Sequence, residues 1–227
     1  MVDCYIIHYT KLVERRLRVM EGLVGRGLNL RFIESFDKEE IDGNNIGYFY
    51  SWDKEKFLYK SGKIFGEGVE RYRYLGLGEI SCALKHLEAY RNIMEGEGEY
   101  ALVVEDDIKV VSGMDLGGVV GGLPVGWDVV FLGEGCGADY VHMRVKDFDR
   151  VGEFLYRAYH PASNCTEAYL ITKRAAKLLY ENMFPFHLPF DWELSYQYFR
   201  FNMEIYWRVP WIFSQGSKSG EYVSSIR

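Results

Sequence analysis

The stretch Ala101 to Val110, ALVVEDDIKV, sets four apolar residues directly against three consecutive acids, Glu105, Asp106 and Asp107. Its apolar half reads as a buried strand. Successive strand side chains alternate faces, so Glu105 and Asp107 point to one side and Asp106 to the other. Two carboxylates then converge where the strand ends. In open α/β sheets, ligands bind at the carboxyl ends of strands. A carboxylate pair in that place suits a hard divalent cation, Mn2+ or Mg2+, which prefers oxygen ligands and in turn grips the oxygens of a diphosphate. The same spacing also describes a strand that simply emerges into solvent, and spacing alone leaves both readings open.

Further chemistry-bearing residues are scattered along the chain. Gly78-Glu79 opens a helical pattern whose first N–H groups are available to a phosphate, although most helix starts bind nothing. His86, near the edge of that helix's apolar stripe, suits a structural hydrogen bond as well as a ligand role. Arg15 and Arg16 fall where a first βα turn would meet a bound nucleotide, or on an exposed helical face. In LPFDWEL, Asp191 precedes another helical pattern and so suits an N-cap, worth about 1 kcal/mol. Gly76-Leu77-Gly78 followed by Ser81 is a broken G-x-G-x-x-G without a convincing strand before it, which excludes a dinucleotide fingerprint.

The elements that must position these groups follow an α/β order. CYIIHY (4–9) reads as a buried strand. Thr10 then caps a helix KLVERRLRVMEGLV, with Leu12, Val13, Leu17, Met20 and Val24 at helical spacing. Gly-Arg-Gly (25–27) ends it, and LNLRFIESF (28–36) supplies a second strand, giving a βαβ unit and favouring a mostly parallel sheet flanked by helices. Residues 37–75 are polar, studded with aromatics and without clean periodicity, which predicts a long loop, either functional or disordered. A helix over 78–94 follows, with Ile80, Leu84, Leu87 and Met94 on one stripe. After the acidic strand come a strand at 127–133, a strand-helix pair at 168–183, a helix at 191–201 and a strand at 203–210. The glycine-rich segment 112–126 is ambiguous, because each glycine costs a helix about 1 kcal/mol against alanine.

Composition bounds the rest. The 227 residues are 48% hydrophobic and carry 27 basic against 33 acidic groups, a net charge of −6. That is enough chain for a sizeable core. Neither repeat nor linker is visible, so 1–227 is expected to be one domain. The basic residues form no stripe, which argues against nucleic acid as a partner. No run of about 18 apolar residues occurs and the N-terminal charge order is the reverse of a secretory signal, so a cytoplasmic protein without a transmembrane segment is expected. Cys4, Cys82, Cys136 and Cys165 stand far apart, which argues against both a disulfide framework and a zinc ribbon and fits a reducing compartment. The Asn164-Cys165-Thr166 glycosylation pattern is read as accidental.

ALVVEDDIKV resembles the LILEDD strand of the glycosyltransferases of family 25, the group that includes lipopolysaccharide and procollagen galactosyltransferases. Other segments agree in order. CYIIHYTKLVERRLRVMEGL is similar to the family's opening strand and Arg-containing helix, GEISCALKHLEAYRNI to its G-E-x-G-C-x-x-S-H helix, and WDVVFLG to its W-D-x-x-x-L-G strand. AYLITKRAAKLL and PFDWELSYQYFRFNMEIYWRVPWIFSQGS resemble its final third. Residues 37–75 and 134–155 match poorly.

The resemblance implies a GT-A architecture, a Rossmann-like α/β domain that binds a nucleotide sugar with a metal held by a D-x-D motif. Glu105-Asp106-Asp107 is this chain's DxD-like motif. By analogy Asp107 binds Mn2+ or Mg2+, Glu105 contacts the ribose, the metal or its water shell, and Asp106 serves geometry or the donor sugar. Arg15, Gly78, Glu79 and His86 are carried over as donor-side residues, although the family's Ser-His is here Lys85-His86. The family is inverting, and its acidic pair at this place makes Asp191 the first and Glu193 the second choice of general base. Gln215 falls where many GT-A enzymes place a metal-binding histidine; either it substitutes or the metal keeps fewer protein ligands.

The implied activity is transfer of galactose, or secondly glucose, from a UDP-sugar to a hydroxyl of a glycan or of a glycosylated or hydroxylated protein, with lipopolysaccharide-like glycans among the acceptors. The aromatics Tyr48, Phe49, Tyr50, Trp52 and Tyr59 suit stacking on an acceptor sugar or an ordinary folded lid. A catalytically silent carbohydrate-binding protein and a sugar nucleotidyltransferase are the alternatives.

Overall fold

The computed structural model describes residues 1–66, 72–135, 148–158, 165–217 and Gly220. The chain opens with strand β1 (Val2–Ile7), helix α1 (Val13–Leu23) and strand β2 (Leu28–Ile33), and β1 and β2 pair in parallel. The expected βαβ unit is present. Gly25 and Gly27 both take positive φ, +79° and +73°, which L side chains rarely adopt, and so turn the chain sharply after α1. Next come α2 (Ile46–Phe49), α3 (Lys54–Phe65), α4 (Leu77–Glu95), β3 (Tyr100–Glu105), β4 (Ile108–Val110), α5 (Leu116–Gly121) and β5 (Val129–Phe131). The remaining described elements are β6 (Phe148–Arg150), β7 (Leu155–Ala158), β8 (Ala168–Thr172), α6 (Lys173–Asn182), α7 (Phe190–Phe201), β9 (Ile205–Arg208) and β10 (Phe213–Gln215).

Among the described residues the main sheet has eight strands in the order β2-β1-β3-β8-β5-β9-β7-β6. Its pairings set β7 and β8 against the direction of the other strands, so the sheet is mostly parallel with two reversed members. Its two faces carry separate cores. Tyr5, Ile7, Ala101, Val103, Tyr169 and Ile171 meet α4, α6 and α7, whereas Cys4, Ile6, Leu102, Val104 and Leu170 meet α1 and α5. A second, two-stranded antiparallel sheet joins β10 to β4 and sets Gln215 opposite Ile108.

Three local expectations are corrected. In α1 the buried residues are Arg15, Val19 and Leu23, while Val13, Leu17 and Val24 are exposed. Arg15 is drawn inward by an acid from β3's end, and Val19 and Leu23 follow it at four-residue spacing. Thr10 does not cap this helix: Leu12 stands at the N-cap position without a side-chain bond, and the Thr10 hydroxyl donates to Asp37. Residues 37–75 are not one long loop, since α3 is capped by Asp53, which accepts the Lys56 N–H at 3.0 Å, and buries Phe57, Ser61 and Ile64. Only two of its apolar residues, Phe57 and Ile64, are buried, too sparse a set to read as periodicity. The glycine-rich segment contains only the short α5, capped by Asp115 at the Gly118 N–H. Cys4 and Cys82 are free, but Cys165 is disulfide-bonded, against the expectation from cysteine spacing.

Candidate active site

The acidic triplet sits at the carboxyl end of β3. Glu105 is the last strand residue and, by alternation, shares the α4 face with Ala101 and Val103. Asp106 turns to the α1 face. Its Oδ2 lies 2.8 Å from His8 Nδ1 and accepts the Tyr9 N–H at 3.2 Å, and its Oδ1 accepts from Arg15 Nη1 at 2.8 Å. Both oxygens of Asp106 are therefore used in fixing the turn between β1 and α1. That is a geometric role, and it also explains how Arg15 is buried: a charge leaves water only when paired and hydrogen-bonded.

Glu105, Asp107 and Gln215 come together although Gln215 lies far along the chain. Thr166 Oγ1 donates to Glu105 Oε1 at 2.8 Å and Gln215 Nε2 to Glu105 Oε2 at 3.2 Å. The Gln215 N–H is held by Glu134 Oε1 at 3.0 Å, and the Asp107 carbonyl accepts the Gly216 N–H at 2.7 Å. Two oxygens are left over: Asp107 Oδ1 and Gln215 Oε1 are buried without a hydrogen-bond partner. Burial, reinforced by the Glu105 charge, lifts the Asp107 carboxyl from its ordinary 3.8 to about 6, against the pull of Ser217 and Arg15. Orphaned buried oxygens beside like charges are what a hard divalent cation satisfies, so Asp107, Glu105 and Gln215 fit such an ion.

These acids line an open cleft of about 70 Å3 together with His8, Tyr9, Arg15, Lys38, Gly78, Ser81, Cys82, Lys85 and Ser217. Lys85 is held by Asp37 at 2.7 Å and by the Ser35 carbonyl at 2.8 Å, whereas Lys38 lies 5.1 Å from the centre of the Tyr9 ring. Arg16 is turned away, paired with Glu34 and laid over Phe32. Gly78 reaches the cleft, but Glu79 accepts the Gly76 N–H at 3.0 Å and pairs with Arg73. Glu79 therefore secures the start of α4 instead of meeting a donor.

His86 lies fully buried behind Glu105. Its Nδ1 is 2.9 Å from the Tyr169 hydroxyl, its ring stacks on Phe190 at 4.3 Å, and its Nε2 stands 3.9 Å from Glu105 Oε1 without a hydrogen-bond partner. Burial lowers its pKa and keeps the ring neutral. Direct contact with a donor is closed to it, although its face toward Glu105 is open.

The two acids of α7 separate cleanly. Asp191 Oδ1 accepts the Trp192 N–H at 3.0 Å and Oδ2 the Cys165 N–H at 3.3 Å. The N-cap position belongs to Pro189 and no side chain caps the helix, so Asp191 is not the cap that its place in the sequence allowed. Burial raises its pKa and the charge of Glu105 adds to the shift. Glu193 is wholly buried and fully engaged: it pairs with Lys60 and accepts from the His187 N–H at 3.1 Å, the Leu188 N–H at 3.3 Å and Gln197 Nε2 at 3.1 Å. It ties α3 to α7 and has no oxygen for a substrate.

Sequence reasoning missed His8, Thr166 and Cys82. The Cys82 thiol stands near the acids: burial first, then Glu105, Asp191, Asp106 and Asp107, push its pKa well up. Its place four residues before His86 on one helix was the available signal.

An α/β sheet with acids, an amide and basic residues gathered at its carboxyl edge presents a candidate ligand site where open α/β sheets bind their ligands. Residues 1–116 match the model of glycosyltransferase family 25 (LPS biosynthesis protein), half of the chain, and the chain belongs to that family. It is a glycosyltransferase. Among solved structures it is similar to mouse xyloside xylosyltransferase 1 in the apo form, with 12% identity over 89% of this chain and 70% of that one and a TM-score of 0.41. No curated protein matches. Among the described residues no helix is long and apolar enough to cross a membrane.

Proposed function

We propose that the chain is a metal-dependent, inverting hexosyltransferase that moves galactose, or secondly glucose, from a UDP-sugar to a hydroxyl of a glycan or protein acceptor. The observation that carries this reading is the pair of orphaned buried oxygens, Asp107 Oδ1 and Gln215 Oε1, beside Glu105 in the cleft. Asp107, Gln215 and Glu105 would hold Mn2+ or Mg2+, with Thr166 keeping the Glu105 carboxylate in place. When bound, that ion supplies positive charge against the charge growing on the departing diphosphate. Arg15 and Lys38 add positive field along the same wall.

Asp191 takes the proton from the attacking acceptor hydroxyl. Its raised pKa makes it a stronger base than an ordinary aspartate, and its two backbone N–H bonds fix the direction of its remaining lone pairs. No covalent intermediate is needed, because one displacement inverts the anomeric carbon. The exposed rings of Trp52 and Tyr74, 6.2 Å apart, supply a stacking surface for the acceptor sugar. Calorimetric titration with UDP, with and without Mn2+, tests the reading. Metal-dependent binding that disappears in Asp107→Ala supports it. Absence of UDP binding under both conditions overturns it.

A further inference from the structure

Two side chains able to ligate a metal, Cys82 in the cleft wall and His86 buried behind Glu105, have no part in that mechanism. Cys82 and His86 stand four residues apart on α4, so they project from one helix face toward Glu105 on β3. The cysteine sulfur, a ring nitrogen of His86 and a carboxylate oxygen of Glu105 all lie within 4.8 Å of one another. His86 is 0% exposed, and its Nε2 is left without a hydrogen-bond partner 3.9 Å from Glu105 Oε1, too far for a hydrogen bond. Its other nitrogen is held by the Tyr169 hydroxyl, itself 2.9 Å from the Tyr90 hydroxyl. This is the outer support by which proteins orient a metal-ligating histidine. Cys82 lines the cleft, so an ion entering from solvent reaches the site.

We propose that Cys82 Sγ, His86 Nε2 and Glu105 form a second cation site, selective for thiophilic divalent ions of the zinc class, with its fourth position open to the cleft. The donor set decides the selectivity. Sulfur and imidazole favour zinc and its analogues, whereas Mn2+ and Mg2+ favour the all-oxygen side of Glu105. Ligand atoms around tetrahedral zinc lie about 3.5 Å apart, so the three groups need only a small inward movement. Coordination takes the thiolate form of Cys82, and its proton leaves to solvent. Glu105 is common to both sites. Zinc occupancy therefore draws it away from Thr166 and Gln215 and antagonises the Mn2+-dependent step, a consequence that rests on the donor reading above.

The test is a Co2+ titration of the metal-free full chain, followed by optical absorption. The expected result is a thiolate-to-cobalt charge-transfer band with tetrahedral d–d bands, saturating at one ion per chain and abolished by added Zn2+. Cys82→Ser should remove the charge-transfer band. Tyr169→Phe, which keeps all three ligands but loosens His86, should weaken Zn2+ binding by about 10- to 100-fold. A folded wild-type chain without the charge-transfer band overturns the proposal, as does a band that survives Cys82→Ser. UDP binding with Mn2+ is read separately. Its failure beside an intact cobalt spectrum overturns the donor reading alone and supports the thiophilic site as an independent feature.

Discussion

Asp107→Asn is expected to make the metal-free enzyme more stable while destroying its metal-dependent donor binding. The folded protein lifts this carboxyl from 3.8 to about 6, chiefly by burial and then by the charge of Glu105. At about 1.4 kcal/mol per pH unit, that displacement corresponds to about 3 kcal/mol against folding once the group is charged in both states. The sign follows from the raised value. Below the unfolded value the group is neutral in both states and costs nothing. The penalty grows as pH rises from about 4 to about 6 and is complete above it. Asparagine keeps the shape and removes the charge, so at about pH 8 the variant should gain about 1–3 kcal/mol after local relaxation. For a domain of this size that is about 2–4 °C in Tm per kcal/mol. The assay is urea unfolding of metal-free wild type and variant at about pH 4 and about pH 8. The gain should vanish at the acid end. Saturating Mn2+ should invert the order, since an ion at about 1,000 times its Kd adds about 4.1 kcal/mol to the wild type alone. A variant less stable than wild type at about pH 8, or a gain independent of pH, would refute the reasoning.

Asp191→Asn should lower the transfer rate by about 10²- to 10⁴-fold while leaving the UDP affinity near wild type, as single-turnover and binding assays would reveal. Equal loss of both would remove Asp191 from the base role. Glu193→Ala should cost about 3–5 kcal/mol in denaturant unfolding, because it strands Lys60 and two N–H groups in the interior. The residual folded Glu193→Ala protein should keep most of its turnover per active site; loss of turnover with full stability would return Glu193 to the chemistry. Trp52→Ala should raise the acceptor KM about tenfold without altering UDP affinity, and an unchanged acceptor KM would show that the ring does not meet the acceptor.

The legible part of the fold was the part written in local periodicity. The βαβ opening, the acidic strand, α4, the strand-helix pair at 168–183 and α7 each carry an apolar pattern that a few neighbouring residues suffice to display. Strand alternation also sorted Glu105 from Asp106, because side-chain parity is a property of the strand itself. What went unread depended on partners distant in sequence. The buried face of α1 is chosen by Arg15, and Arg15 is buried only because Asp106 meets it from β3. Gln215 reaches Glu105 only because β10 pairs back onto β4. Asp191 and Glu193 are two residues apart with similar local sequence. One faces the acids with two light backbone contacts, and the other is consumed by Lys60 on α3.

The sequence by itself determined the βαβ opening, the acidic strand, α4, the strand-helix pair at 168–183, α7 and the family to which the chain belongs, since these rest on short-range pattern. Only the tertiary structure decided which charges are satisfied and which are left poised for a ligand. The desolvation of a carboxylate depends on what packs over it, and no window of neighbouring residues contains that information.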